Sequence, residues 1–522
     1  MTIALAQPHA AERKAQISKH VRPTKYLNPL PPLQTESKRV LLIVPPGSSE
    51  EAYGRLSAAA GELPMLGLAY VAASLRDQGH VVKIIDYEVT DQPMSKASEG
   101  ITSFKPDLIG MTAYITNMKR CAAVAKIAKQ INKKITVVLG GPQVSVFPEE
   151  GFVSPDIDII VLSEGEIIIR NVMNALGNEE KLSEVKGVWF RKHDGQIQKN
   201  QREILPDDLD IFLPPALDLY NLDDYYPPVH IRGKKVAHIL TSRGCPFKCT
   251  FCETKLTFGR SFRYHSTERV LQDLETLISA GYDSFQIFDD IFTIRKDRVI
   301  DLCEGIIDRF INNGIKIQWM CFTRTNCVSD DVLSVMKKAG CYLIAFGGES
   351  GSDELLKVIK KDLTVEKNIH GINLAKKHDI LAFSSFMLGL PTETRSQSME
   401  TIEFSLSSGL DYAVFAITEP YPGTELWEDA KQFGKFDTTG RYKNNLLSEN
   451  SAVWIPEGRS REELSELATL AMRKFYLRPK SILLALKNFY LLPPRRALRY
   501  LWAGMSFFIL NRFDSAKPGA RY

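Results

Sequence analysis

Three cysteines within ten residues, Arg243-Gly244-Cys245-Pro246-Phe247-Lys248-Cys249-Thr250-Phe251-Cys252, constrain this chain more than anything else in it. The spacing is C-x3-C-x2-C, with an aromatic residue directly before the last cysteine. Zinc asks for four nitrogen or sulfur ligands. The next candidates, His265 and Cys303, stand at no usual spacing. A disulfide is not expected, because nothing marks the chain as secreted. A cubane iron–sulfur cluster is held by thiolates. Three of them leave one iron without a protein ligand, and an open metal position is what chemistry needs where a structural site would be closed.

The flanks of this loop carry two runs of alternating strands and helices. In the first, Val40–Val44 reads as a short buried strand, followed by a helix over Leu66–Gln78 and a strand over His80–Asp86. Further strands are predicted over Asp107–Thr112, Ile135–Leu139 and Asp158–Leu162, with a helix over Met118–Asn132 and another starting near Glu164. Asp194-Gly195 marks a hairpin. Such alternation predicts a parallel, doubly wound (Rossmann-like) sheet, whose ligands lie at the carboxyl ends of the strands. In the second run, strands are predicted over Val236–Thr241, Ser284–Phe288, Ile315–Cys321, Tyr342–Phe346, Ile380–Phe386 and Tyr412–Phe415. Helices over Thr267–Ala280, Lys296–Asn313 and Ser329–Ala339 separate the first four. Six such units predict a partial (βα)6 TIM-type barrel with its chemistry at the strand carboxyl ends.

The expected organisation is a loose arm over 1–38, a first α/β domain over 39–200, a Pro- and Tyr-containing linker over 201–233, the barrel over 234–420 and a helical C-terminal region over 421–522. The other five cysteines, Cys121, Cys303, Cys321, Cys327 and Cys341, are scattered and read as core residues, which fits a reducing cytoplasm. Met1–Leu30 has no apolar run of the length a secretory leader needs, and no stretch reaches the ~20 apolar residues of a spanning helix.

The cysteine loop resembles the cluster loop of the radical S-adenosylmethionine superfamily, where the open iron is chelated by S-adenosylmethionine and reductive cleavage yields a 5'-deoxyadenosyl radical. The resemblance implies a [4Fe–4S] cluster on Cys245, Cys249 and Cys252. It implies S-adenosylmethionine contacts at Phe251, at Gly347-Gly348-Glu349-Ser350, at Arg324, and at Gly389 and Leu390 within Met387-Leu388-Gly389-Leu390-Pro391. Asp289 and Asp290 read equally as contacts to substrate or cofactor and as structural caps; the same two readings apply to Arg324.

The first domain resembles the cobalamin-binding domain that precedes the barrel in many such enzymes. The matching pieces are Pro64-x-x-Gly67-Leu68-Ala69-Tyr70, Gly110-Met111-Thr112, Gly140-Gly141-Pro142 and Glu164-Gly165-Glu166. They imply cobalamin contacts at Gly67, Leu68, Thr112, Ala113, Gly140, Gly141, Pro142, Gln143, Glu164, Gly165 and Glu166. Two departures stand out. The Asp-x-His-x-x-Gly motif of an axial histidine is absent, with His80 the only histidine between Leu30 and His193. Gln143 stands where the family often has histidine.

The resemblance spans residues 40–420 and implies a cobalamin-dependent radical methyltransferase acting on an unactivated carbon. One S-adenosylmethionine methylates the cobalt and a second generates the radical. Alternatives are an oxidative cyclase or ring-rearranging enzyme without net methylation, and a non-enzymatic cobalamin or iron–sulfur sensor. A methylthiotransferase would carry a second cysteine set upstream, where this chain has only Cys121. The implied partners are a small-molecule substrate and a flavodoxin- or ferredoxin-type reductant. No nucleic acid is expected, since the net charge of +4 hides a tail, Arg473–Tyr522, with eleven Lys/Arg against Asp514 alone. Ten of those 50 residues are aromatic, and apolar runs (Ile482–Leu486, Leu501–Leu510) lie among Arg495, Arg496, Arg499 and Arg512. The tail reads either as a surface that touches the inner face of a membrane or as a helical cap over the site; a lipophilic substrate suits both.

Overall fold

A computed structural model describes residues 36–45, 61–89, 96–228, 230–437 and 453–491. Most of the arm expected over 1–38 and the tail beyond Leu491, with its arginines, lie outside the described residues. The first sheet has strands β1 (Arg39–Val44), β2 (Val81–Asp86), β3 (Leu108–Thr112), β4 (Thr136–Gly140), β5 (Ile159–Val161), β6 (Val188–Arg191) and β7 (Ile197–Lys199) in the order β2-β1-β3-β4-β5-β6-β7. β1 to β5 are parallel, and β6 and β7 add the hairpin antiparallel. Side chains of β1 alternate between two cores: Val40, Leu42 and Val44 meet the helix Leu66–Asp77, and Leu41 and Ile43 meet the helix Met118–Ile131. A strand apolar on both faces can only sit between two helical layers. The chain runs from β1 to β2 on one side, then to β3 on the other, so a crevice opens at the carboxyl ends of β1 and β3.

Residues 201–228 form single turns that pack back on this sheet, with Ala216, Leu217 and Tyr220 buried in its core. The second sheet follows chain order and is parallel throughout: β8 (Val236–Ile239), β9 (Ser284–Ile287), β10 (Gln318–Thr323), β11 (Cys341–Glu349), β12 (Leu381–Leu388) and β13 (Tyr412–Ile417). One set of alternate residues (Ile239, Phe285, Trp319, Ile344, Phe386, Phe415) packs under the helices. The other set therefore faces the concave side. The helix Arg395–Ser407 that follows β12 starts at a capping box between Thr394 and Gln397.

Three expectations need correction. The strands expected to end at Phe346 and Phe386 run on through Gly347-Gly348-Glu349 and Met387-Leu388, which are the last residues of β11 and β12. The helix expected over Lys296–Asn313 is α-helical only to Ile306 and ends in a π turn, Ile307–Ile311. The C-terminal region is not helical throughout: between the helices Glu425–Phe433 and Arg461–Tyr476, the strands Gly434–Asp437 and Val453–Pro456 pair antiparallel. The last described helix, Pro479–Leu491, packs the partly buried Leu484 against the cluster that includes Val236, Met320 and Tyr412, toward the amino ends of the barrel strands. It thus closes the bottom of the barrel and leaves Ile482, Leu483 and Leu486 exposed. Among the described residues, no helix is long and apolar enough to cross a membrane.

Candidate functional site

The cysteine loop leaves the carboxyl end of β8 and is pinned at both ends by two adjacent carboxylates. Asp289 accepts from Thr241 N (2.6 Å), Thr241 Oγ1 (2.5 Å) and Ser242 Oγ (2.6 Å). Asp290 accepts from Gly244 N (3.1 Å) and from Thr254 Oγ1 (2.9 Å), beyond the last cysteine. Asp289 is buried with both oxygens engaged, so of its two readings the geometry favours the cap. Burial first, then the fields of Cys252, Asp290 and Cys249, push the Cys245 thiol up to about 11; burial likewise raises Cys252. Thiolates gathered this way need cationic compensation, which bound iron supplies. Among the described residues no three His, Cys, Asp or Glu side chains converge on a single ion. A cubane asks for something else, because each cysteine binds its own iron. The loop therefore fits a cluster.

Arg324, at the end of β10, lies over the Phe247 ring (3.9 Å) and donates to Cys249 Sγ (3.3 Å), to Asn326 Oδ1 (3.3 Å) and to Lys361 O. Its guanidinium is buried and ties the loop to Lys361 O and to the turn after β10. Glu349 ends β11 with φ +61°, a backbone conformation that a non-glycine residue adopts at a cost of about 1–3 kcal/mol. What holds it there is Lys361, 2.7 Å from its carboxylate, with both side chains buried. The two glycines before it leave room for side-chain ends: a Cβ on Gly347 would lie 2.5 Å from Glu349 Oε1 and 2.7 Å from Lys361 Nζ and would push that pair aside, and one on Gly348 would lie 2.5 Å from Ser384 Oγ. The Ser350 hydroxyl hydrogen-bonds that of Thr401 in the helix Arg395–Ser407 (3.2 Å). Phe251 packs against an apolar cluster formed by Leu355, Leu356, Ile359 and Leu390. Gly389 turns at φ +80°, after which Leu390 N donates to Glu393 (2.6 Å).

In the first domain, Thr112, Ala113, Gly140, Gly141, Pro142 and Gln143 form one ledge at the ends of β3 and β4. Ala113 N donates to Gly140 O (2.8 Å) and Gln143 N to Ala113 O (3.1 Å). Gly67 borders the same end with open space around it, whereas the Leu68 side chain is buried in the sheet core. Room at Gly67 and a glycine ledge at the switch point fit a bulky ligand approached by backbone. The two carboxylates of Glu164-Gly165-Glu166 depart from expectation. They are not presented to the crevice but buried against Arg243 and Arg263 of the other domain. Sequence reasoning also missed Lys361, which has no signal beyond its basic character.

The two sites abut. The short helix Pro142–Val146 that ends the glycine ledge packs against Thr254–Thr257, the segment that follows Cys252. Ser163 Oγ donates to Thr257 O (2.5 Å) across the same boundary, and Arg202, which holds Ser145 O (2.6 Å) on the first domain's side, reaches over it to Leu256 O (3.4 Å). On the concave face of the barrel, Phe288 is 50% exposed, stacked on His238 (5.1 Å, 18°) and edge-on to Phe322 (5.4 Å).

His238 Nε2 is shut off from water without a hydrogen-bond partner, and burial pushes its pKa down to about 4, against a smaller opposing effect of Gln286. A depressed histidine binds fewer protons folded than unfolded between pH 4 and 6.5, so stability rises with pH through that window and is lost on acidification. His238→Phe is expected to flatten this dependence by up to ~1.4 kcal/mol per pH unit, read from urea midpoints at pH 4–7. An unchanged slope would mean that His238 titrates normally.

The B12 binding domain family matches residues 54–173 and the Radical SAM superfamily matches residues 239–405. A protein of Pyrococcus horikoshii named an uncharacterized methyltransferase is 36% identical, with 89% of this chain and 98% of that protein covered. The anaerobic magnesium-protoporphyrin IX monomethyl ester cyclase of Rubrivivax gelatinosus is 28% identical over 80% of this chain and 74% of its own. Among solved structures, the radical S-adenosylmethionine methyltransferase TsrM from Kitasatospora setae, with cobalamin and a [4Fe–4S] cluster bound, has the same fold: TM-score 0.66 at 16% identity, covering 88% of this chain and 90% of that one.

Proposed function

We propose that this chain, which belongs to the cobalamin-binding radical S-adenosylmethionine enzymes, transfers a methyl group to a carbon atom of an apolar small molecule. When bound, the cluster with S-adenosylmethionine supplies a 5'-deoxyadenosyl radical and cobalamin supplies the methyl group. The observation that carries the reading is the abutment of the glycine ledge on the segment following the cysteine loop: a methyl carrier and a radical source serve one substrate only if their sites share a border. The methyltransferase name of the Pyrococcus relative supports it further.

In this reading Cys245, Cys249 and Cys252 hold the cluster. The Glu349 carboxylate accepts from the ammonium of S-adenosylmethionine, Phe251 and Leu390 face its adenine, and the ledge from Thr112 to Gln143 receives the corrin. The concave face offers Phe288, Phe322 and an uncharged His238, walls that suit an apolar ligand better than an anion. A lipophilic substrate, a one-electron donor of flavodoxin or ferredoxin type and a cytoplasmic site of action complete the proposal. The exposed Ile482, Leu483 and Leu486 are consistent with contact at a membrane surface.

The test is anaerobic reconstitution with iron, sulfide and hydroxocobalamin, then incubation with S-adenosylmethionine, reductant and lipid extracts. Retained corrin absorption, 5'-deoxyadenosine and a product heavier by one CH2 are expected. 5'-Deoxyadenosine without retained cobalamin would remove methyl transfer. A product that has lost hydrogen without gaining carbon would favour an oxidative cyclase, the second reading that the Rubrivivax relative's name raises.

A further inference from the structure

Arg243 and Arg263 are direct partners in the antiparallel pair Ser242–Arg243 with Arg263–Tyr264, and both are buried. Two guanidinium groups side by side without water repel unless anions lie between them. Here the anions come from the other domain. Glu164 accepts from Arg243 (2.9 Å) and from both terminal nitrogens of Arg263, and Glu166 accepts from Arg243 (2.6 Å). The Arg243 guanidinium is also flanked by the rings of Tyr70 (5.2 Å) and Phe212 (4.7 Å). Ser74 Oγ donates to Glu166 O (2.6 Å), tying the cluster to the helix Leu66–Asp77. The four charges sum to zero.

The location is what matters. Arg243 stands two residues before Cys245, across Gly244, whose φ is +87° and whose added Cβ would lie 2.2 Å from Ser261 O. That connection has no slack. Glu164 and Glu166 follow β5 at the end of the sheet that carries the glycine ledge. A movement of one domain against the other must therefore break the ion cluster or drag the cysteine loop.

We propose that Glu164, Glu166, Arg243 and Arg263 are positioning residues that set the distance between the cobalamin-binding domain and the cysteine loop, and so govern how efficiently a radical, once formed, leads to product. Radical formation needs only the barrel; the second half of the reaction needs both domains in register. The product assay rests on the methyltransferase reading, while the distance measurement does not.

The variants are Glu166→Gln, which keeps shape and removes charge, and Arg243→Lys, which keeps charge and loses the second hydrogen bond. Both are loaded with cluster and hydroxocobalamin and compared with the wild type. Expected are full iron and corrin content and 5'-deoxyadenosine formation within about twofold. The ratio of 5'-deoxyadenosine to methylated product should rise by ~10-fold or more, since a displacement near 1 Å costs up to about 100-fold in a reaction that depends on alignment. The magnetic interaction between the reduced cluster and cob(II)alamin, read by electron paramagnetic resonance, should weaken or spread. An unchanged interaction, with product and 5'-deoxyadenosine falling in proportion to lost thermal stability, would overturn the proposal and leave the cluster a structural brace. A wild type that makes no methylated product would remove the proposed function, and the magnetic measurement would still decide this one.

Discussion

Replacing Cys249 by alanine is expected to lower 5'-deoxyadenosine formation at least about a thousandfold, to the background of the uncatalysed reaction, because a cofactor enzyme without its reactive centre forfeits accelerations of ~10⁶ or more. Loss of one of three thiolates leaves two irons without protein ligands, and among the described residues the fields on Cys245 and Cys252 come from Asp290 and the loop's own cysteines, with no fourth cysteine adding to them. The structural cost should be small by comparison. Arg324 loses its sulfur partner but keeps Lys361 O, Asn326 Oδ1 and the Phe247 ring. The cap by Asp289 and Asp290 does not involve Cys249. A destabilisation of about 1 kcal/mol is the expected scale for one lost contact of this kind. Corrin retention should survive, since the ledge proposed to receive it stands on the other sheet. Measurable 5'-deoxyadenosine from the variant would dismiss the three-cysteine assignment.

The cysteine loop was readable because its chemistry is local: one loop, one spacing, one cluster. The same holds for the alternation of strands and helices, where hydrophobic runs such as Val40–Val44 record burial on two faces. What stayed hidden depends on the third dimension. Glu164-Gly165-Glu166 lies in the right part of the first domain, yet its carboxylates serve Arg243 and Arg263, about 80 to 100 residues away in sequence. Lys361 follows Glu349 by twelve residues and faces it only because the chain returns through the helix Asp353–Val358. Gly347 and Gly348 fall beyond the strand end expected at Phe346, yet they are strand residues packed beside Glu349, Lys361 and Ser384, which local pattern cannot bring together. The tail was ambiguous for another reason: an amphipathic pattern does not say which surface it will meet, and Leu484 met the bottom of the barrel.

The ledge offers the converse experiment. Gly141 has φ +99° and ψ 175°, a region essentially reserved to glycine. A Cβ there would stand 2.6 Å from Thr112 Oγ1, 2.8 Å from Ala113 N and 2.9 Å from Ala113 O. Two of those atoms are backbone, so Gly141→Ala must either part the ends of β3 and β4 or flip the turn. Either movement breaks the Ala113 N to Gly140 O bond that sets the ledge. Strain of about 1–3 kcal/mol leaves a domain of ordinary stability, ~5–15 kcal/mol, folded. Charged instead against ligand binding, it corresponds to a ~5- to 150-fold loss of cobalamin affinity. Gly67→Ala is the control: among the described residues no atom of another element lies within 4 Å of the added Cβ, and the position is helical. There alanine should favour the helix by roughly 0.5–1 kcal/mol, so any loss of corrin at Gly67 would report contact with the ligand itself. The expected pattern is weakened corrin retention in Gly141→Ala with iron content and 5'-deoxyadenosine formation intact, the mirror image of Cys249→Ala. If Gly141→Ala holds corrin as tightly as the wild type, the ledge does not bind cobalamin and the methyl carrier must be sought elsewhere on the chain.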